Sequence, residues 1–165
     1  GDEIGMRYRD LPSKEGGYTR TGSRTPMQWD GSRNHGFSQA ASDALYLPVD
    51  EREGAPTVEA SIADGDSLWH HVHAALEQRR STPSFEPDAD FSVLFAEKGK
   101  RSFVFKRAKD GISAIVAVNP GRDSETVVLP DGDGSKARTI TLNIGGATLD
   151  YTTLTLPPQS FAVLQ

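Results

Sequence analysis

The side chains of this chain best suited to chemistry are two adjacent acids and one arginine. Asp2 and Glu3 lie in Gly1-Asp2-Glu3-Ile4-Gly5-Met6, and Arg24 opens the run Arg24-Thr25-Pro26-Met27-Gln28-Trp29-Asp30. Two carboxyl groups can serve as acid and base, but neighbours on a strand point to opposite faces, so Asp2 and Glu3 cannot easily converge on one bond. A strand-end acid bonding backbone or arginine is the better reading. The guanidinium of Arg24 offers a planar fork of donors that suits vicinal hydroxyls or a carboxylate. Its type also fits an ordinary exposed arginine, or one paired to Asp30. Trp29 can stack on the apolar C–H face of a bound ring, yet its apolar neighbours Pro26 and Met27 favour packing.

Two further clusters suggest metals and fail on spacing. His70 and His73 share a helix face at i, i+3, while His71 points elsewhere and no third ligand follows. A solvated or partly packed helix face is expected there. Asp131-Gly132-Asp133-Gly134 begins like a calcium loop, but Leu142 stands where the loop's last acid belongs, so the segment reads as a turn. No metal, no cofactor and no catalytic residue are expected within the chain.

The elements that must position these residues fall into three textures. Residues 1 to about 62 are rich in Gly, Pro, Ser, Arg and Asp without a period of 2 or 3.6, which reads as loop with short ordered pieces. A loop of that length is functional or leans on something else. From Asp64 onward, Leu68, Trp69, Val72, Ala75, Leu76 and Arg79 recur at helical spacing, predicting an amphipathic helix over 66–81. Asp64 or Asp66 is available as its cap, Arg79 and Arg80 suit its C-terminal dipole, and Pro83 stops it. Its stripe of Leu68, Val72, Ala75 and Leu76 is expected to dock on the sandwich or on a second copy of the chain, with self-association as one outcome.

Beyond Pro87 come short strand-like runs: Phe91 to Phe95, Phe103 to Arg107, Ile112 to Val118, Thr126 to Leu129, Thr139 to Ile144, Ala147 to Leu156 and Ser160 to Leu164. Turn residues such as Lys109-Asp110-Gly111, Asn119-Pro120-Gly121 and Gly145-Gly146 separate them, which indicates an antiparallel sandwich or barrel. Phe91, Phe95, Phe103, Phe105 and Tyr151 fall in apolar alternation that suggests core.

Composition narrows the classes. With 165 residues, 36% hydrophobic and 25% charged, the chain matches a folded body able to bury a core without covalent staples. It contains no cysteine, which fits a reducing, cytoplasmic setting. The net charge of −5 carries no basic stripe, so nucleic acid is a poor partner. No apolar run approaches a membrane span, and no signal segment is evident.

Gly1-Asp2-Glu3-Ile4-Gly5-Met6, the Arg24 to Asp30 run and Asn34-His35-Gly36-Phe37-Ser38 together resemble the α-amylase superfamily, glycoside hydrolase family 13, in particular its oligosaccharide α-glucosidases and trehalose synthases. Asp66-Ser67-Leu68 leading to Gln78-Arg79-Arg80-Ser81-Thr82-Pro83 is similar to the last helix of that family's barrel. Leu156-Pro157-Pro158-Gln159-Ser160-Phe161-Ala162-Val163-Leu164 is similar to the final strand of its C-terminal sandwich. The resemblance implies a mainly β chain: residues 1–87 a C-terminal remnant of the catalytic (β/α)8 barrel, with strand-eight end, long loop and last helix, and residues 88–165 an antiparallel β-sandwich.

The resemblance further implies a retaining α-glucoside hydrolase whose carboxylates, from strands four, five and seven, lie upstream of residue 1. The chain is then a fragment, inactive alone, whose partners are the missing N-terminal barrel and an oligosaccharide substrate. Arg24 is expected to touch sugar and Glu3 to support the site. A trehalose synthase-type glucosyl isomerase is the alternative within the enzyme class. Outside that class, the sandwich reads as a structural domain ahead of a carbohydrate-binding module. His35 and the Gly16 to Gly22 insertion depart from many relatives and bear on substrate identity.

Overall fold

The computed structural model of the chain describes residues 1–13, 16, 20–130 and 138–165. They form two compact units, Gly1–His73 and Ala74–Gln165. The Asp131 to Gly134 turn and residues 17–19 of the Gly16 to Gly22 insertion lie outside the described residues.

The first unit is built from short pieces, as its lack of period predicts. Single 3-10 turns occur at Asp2–Ile4, Thr21–Ser23, Arg33–Gly36 and Ser42–Ala44, followed by a short helix, α1 (Val58–Ala63). Thr57 caps α1 by accepting the Ala60 N–H on its hydroxyl at 3.1 Å. The segment expected to end a strand is instead the Asp2–Ile4 turn, closed by Gly5 in the left-handed region at φ 75°. Without period, buried polar side chains stitch the unit together. Gln28, 1% exposed, donates to Pro56 O at 2.5 Å, and Asn34 donates to Ser38 O and Ala40 O at 2.8 and 2.9 Å.

Helix α2 (Leu68–Ser81) begins two residues later than the period suggests. Ser67 stands at the cap, its hydroxyl 3.5 Å from the His70 N–H, while the Asp64 carboxylate accepts from Asp66 N–H at 3.0 Å and Asp66 holds His71. The acids expected to cap the helix therefore shape the turn before it. Pro83 does stop the helix and starts a 3-10 turn, Pro83–Phe85. No residue of α2 is buried, and Leu68 and Leu76 are 46% and 50% exposed.

The second unit is a sandwich. Its strands are β1 (Asp90–Phe95), β2 (Phe103–Lys109), β3 (Ile112–Asn119), β4 (Glu125–Val128), β5 (Ile140–Ile144), β6 (Thr148–Asp150), β7 (Thr153–Leu156) and β8 (Ser160–Leu164). All pairings are antiparallel, in a five-stranded sheet ordered β1-β2-β3-β8-β5 and a three-stranded sheet ordered β4-β7-β6. The single run read as Ala147 to Leu156 is a hairpin, β6 to β7, reversed at Tyr151 with φ 53°. No glycine marks that turn, so an unbroken apolar alternation concealed it.

Between the sheets lies an aliphatic core of Val104, Ile115, Ala117, Ala162 and Leu164 against Val127, Leu129, Leu154 and Leu156. The aromatics expected in that core are mostly elsewhere. Phe95 packs on it, because a bulge between Val93 and Phe95 turns Leu94 and Phe95 inward together. Phe91, Phe103 and Tyr151 are 56%, 37% and 84% exposed. Register explains the phenylalanines. With Val104 inward at full burial, Phe103 and Phe105 must face out, and the pairing Phe91↔Arg107 puts Phe91 on the same outer face.

Candidate active-site rim

Arg24 lies just after the Thr21–Ser23 turn, with its backbone N–H donating to Thr21 O at 3.1 Å. Its side chain is exposed and makes no hydrogen bond or ion pair among the described residues. No pairing of Arg24 with Asp30 is present among the described residues; Asp30 is bonded instead within its own turn. Asp30 accepts from the Ser32 N–H at 2.8 Å and from the Ser32 hydroxyl, and these bonds hold its pKa below the ordinary value. Arg24, Thr25, Pro26 and Met27 form one wall of a cleft of about 210 Å³; Phe37, Tyr46 and Leu47 form the other. A forked donor beside two half-exposed aromatics suits a ligand with hydroxyl edges and an apolar face.

The second wall is positioned by ion pairing. Asp50, 5% exposed, accepts from Arg52 Nη2 at 2.7 Å and Nε at 3.0 Å, and from Arg7 Nε at 3.1 Å. The Arg52 guanidinium first, and Arg7 with it, holds the Asp50 carboxyl well below the usual range against the opposing effect of burial. Arg9 Nη1 donates to Pro48 O and Val49 O at 2.9 and 2.6 Å, so the chain just after the Asp2–Ile4 turn clamps the stretch that follows Tyr46 and Leu47. His35 adds a third tie, its Nε2 lying 2.9 Å from Asp50 O. Sequence reasoning missed Asp50; the only signal was its place in the charged run Asp50-Glu51-Arg52, which does not reveal a buried acid.

The turn carrying Phe37 is strained and held. Asn34 and His35 are both left-handed, at φ 51° and 54°, a conformation L residues adopt at a cost. The His35 carbonyl accepts from Trp29 N–H at 2.8 Å and Asp30 N–H at 3.3 Å, and the Ser42 hydroxyl donates to Asn34 Oδ1 at 3.0 Å. Trp29 is half exposed, at 50%, so it is neither the buried packing residue nor a lining residue of the cleft. The buried member of the run is its neighbour Gln28.

Glu3 is not among the residues that line the Arg24 cleft. Its carboxylate pairs with the Gly1 ammonium at 2.9 Å, and that bond lowers its pKa. A second cleft, of about 220 Å³, is lined by Asp2, Met6, Arg7, Gly22 and Ser23 among others, and Glu3 belongs to neither. The histidines are engaged singly: His70 Nε2 with Ile62 O at 3.0 Å, His71 Nε2 with Asp66 Oδ1 at 3.1 Å, and His73 stacked on Trp69 at 5.2 Å. Among the described residues no group of three His, Cys, Asp or Glu is placed to hold a metal, and no helix is long and apolar enough to cross a membrane.

Residues 1–88 match the family model of the α-amylase catalytic domain. An α-glucosidase of Pediococcus pentosaceus is 30% identical over 107 residues, covering 65% of this chain and 18% of that protein. The trehalose synthase/amylase TreS of Mycobacterium tuberculosis is 33% identical over 123 residues, covering 72% of this chain and 20% of that protein. In fold, the trehalulose synthase MutB of Pseudomonas mesoacidophila MX-45 superposes with a TM-score of 0.75 at 22% identity, over 88% of this chain and 26% of that one. The chain belongs to the α-amylase family of glycoside hydrolases, and its mainly β architecture corresponds to the C-terminal sandwich of such enzymes. It spans about a fifth of the length of these curated relatives.

Proposed function

We propose that the chain is the C-terminal part of a retaining α-glucoside hydrolase acting on α-glucosidic oligosaccharides, with the catalytic carboxylates outside residues 1–165. The observation that carries this reading is the Arg24 cleft: a guanidinium with no hydrogen bond or ion pair among the described residues shares a cleft with Phe37 and Tyr46, within the part matched by the catalytic-domain model. Retention requires two carboxyl groups roughly 5 Å apart across the scissile bond, one attacking the anomeric carbon and one protonating the leaving oxygen. Asp2 and Glu3 are unsuited to that pair, since they line no common cleft: Asp2 borders the second cleft and Glu3 neither.

In this reading residues 1–87 belong to the catalytic barrel and residues 88–165 are the sandwich, a division supported by the family match ending at residue 88. Arg24 holds a sugar hydroxyl edge at the rim and Glu3 supports the site. The cysteine-free composition fits a cytoplasmic enzyme. The isolated chain self-associates through the exposed Leu68 and Leu76 of α2.

The test is Arg24→Ala in the full-length enzyme. Loss of one charged hydrogen bond, about 1.5–3 kcal/mol, lowers kcat/KM on maltose or isomaltose by about 10- to 100-fold with unfolding unchanged. Loss of thermal stability in proportion to activity marks Arg24 as structural instead. The isolated chain is expected to release no product from a nitrophenyl α-glucoside; turnover abolished by Glu3→Gln overturns the assignment. A glucosyl isomerase is the second reading, favoured by the match to the mycobacterial trehalose synthase. Conversion of maltose to an isomeric disaccharide without free glucose selects it.

A further inference from the structure

The second wall of the Arg24 cleft comes from two places in the chain. Phe37 follows the Arg33–Gly36 turn, while Tyr46 and Leu47 belong to the stretch that runs into Asp50. His35 joins the two. Its Nε2 lies 2.9 Å from the Asp50 carbonyl oxygen, and a carbonyl only accepts, so Nε2 carries the hydrogen and Nδ1 keeps its lone pair. Nδ1 is buried and has no hydrogen-bond partner among the described residues. The ring is thus aimed by its bond at Nε2.

Backbone reasons do not account for a histidine at this position. Asn34, His35 and Gly36 take φ 51°, 54° and 72° in succession, a run that glycine enters freely and asparagine more readily than histidine. Gly36 has its own cause, since a Cβ there would lie 2.6 Å from Asp30 Oδ2. The main chain of His35 donates to Ser32 O at 2.9 Å and accepts from Trp29 and Asp30 N–H, bonds that another residue would make equally well. What the side chain adds is the tie to Asp50, whose carboxylate is gripped in turn by Arg7 and Arg52. Phe37 follows two positions on, so a shift of the ring is passed to it.

We infer that His35 is a specificity-setting positioning residue: its bond to the Asp50 carbonyl sets how far Phe37 stands from Tyr46 and Leu47, and so holds the cleft to the width of a single sugar ring. The inference rests on the reading of the chain as part of an α-glucoside hydrolase. At about 210 Å³ the cleft falls below the roughly 300–1,000 Å³ of pockets that enclose drug-sized ligands, which suits one pyranose ring and not a longer chain. Phe37 and Tyr46, 49% and 57% exposed, offer apolar rings to its C–H surface. A wall that drifts loses that contact while Arg24 keeps its place, so the cost falls on substrate binding and not on the chemical step.

Two substitutions in the full-length enzyme separate this role from a structural one. His35→Asn suits the left-handed backbone but is too short to reach the Asp50 carbonyl. His35→Gln suits that backbone less but carries an amide N–H to about the position of Nε2. With maltose as substrate, the Asn variant is expected to raise KM about three- to tenfold, with kcat within about twofold and unfolding little changed. The Gln variant is expected to return KM to within about twofold of wild type even where it lowers the unfolding midpoint. The reverse order, Asn like wild type and Gln impaired, overturns the inference, as does a joint fall of kcat and stability in the Asn variant. Long-range proton–nitrogen NMR spectra of histidine-labelled protein give a reading independent of turnover. The ring signal lost in His35→Asn is expected to show a protonated Nε2 and a bare Nδ1; the opposite tautomer, or rapid exchange between the two, overturns the inference. Absence of maltose turnover by the wild-type full-length enzyme sinks the α-glucoside reading and the inference with it, whereas turnover with KM unmoved in His35→Asn sinks the inference alone.

Discussion

Replacing Asp50 by Asn should cost about 2 kcal/mol, and the loss should depend on pH. The carboxylate accepts from both guanidinia through both oxygens, with Arg52 Nε and Nη2 and Arg7 Nε on Oδ2, and Arg7 Nη2 and Arg52 Nε on Oδ1. An amide keeps one acceptor and turns two N–H donors toward guanidinium donors. Two charged hydrogen bonds at about 1.5–3 kcal/mol each would give a larger figure. Arg7 and Arg52 are 49% and 47% exposed, however, and rehydrate when released, which roughly halves it.

The folded carboxyl lies below its ordinary value, so its contribution is fully present above the unfolded pKa and is lost as pH falls from there toward the folded one. With an unfolded aspartate near 3.9, about 1.3 kcal/mol of the wild-type advantage is gone by pH 3. Trp29 belongs to the first unit and Trp69 to the helix α2 that leaves it, so urea unfolding is followed in a Trp69→Phe background, where the fluorescence of Trp29 reads the first unit. The reasoning fails if the difference between Asp50 and Asn is below about 0.5 kcal/mol at pH 7. It fails equally if the difference is unchanged at pH 3, because a charge-independent loss is a packing effect.

Gly22→Ala should destabilise the same unit by about 3 kcal/mol, at the upper end of overpacking, because a Cβ there would sit 1.6 Å from the Arg9 carbonyl oxygen and break the Arg9 N–H to Gly22 O bond of 3.1 Å. The same fluorescence titration reads it, and a loss under about 1 kcal/mol would show that the backbone yields freely. In the second unit, Asn119→Ala should cost about 3 kcal/mol. The fully buried Asn119 donates to Asp123 O, Leu156 O and Pro157 O at 2.8, 2.9 and 3.0 Å and accepts from Gly121 N–H at 2.9 Å, so its removal orphans buried groups on two turns. Faster amide exchange across β3 and β8 is the expected readout; exchange as slow as wild type refutes the assignment.

The sandwich was legible because antiparallel strands announce themselves twice, by alternation and by turn residues. Asp110-Gly111 and Gly145-Gly146 carry the positive φ their reversals need. Where one signal failed, the reading failed with it. Tyr151 turns the β6–β7 hairpin without a glycine, and alternation alone ran Ala147 to Leu156 together. Alternation also gives no sign of which face is inside when both are apolar. Val104 and Phe105 are equally good core residues by type, and only the placement of the three-stranded sheet makes Val104 the buried one.

The construction of the cleft was not legible. Arg24 stands out by the resemblance of its run to the family motif rather than by its spacing, and the structure places it on a cleft with no hydrogen bond or ion pair among the described residues. The ties that hold the segment opposite it were invisible because they act over long separations: Arg7 reaches Asp50 across 43 positions and Arg9 reaches Val49 across 40. Such clamps replace the periodic core that residues 1 to 62 lack. A loop region that buries an aspartate between two arginines and holds two successive residues left-handed is a positioned surface, because backbone strain persists only where surrounding contacts over-determine it. The wall bearing Phe37 and Tyr46 is therefore set before any ligand arrives, and Arg24, whose guanidinium has no hydrogen bond or ion pair among the described residues, is the charged donor on the cleft that a ligand would meet.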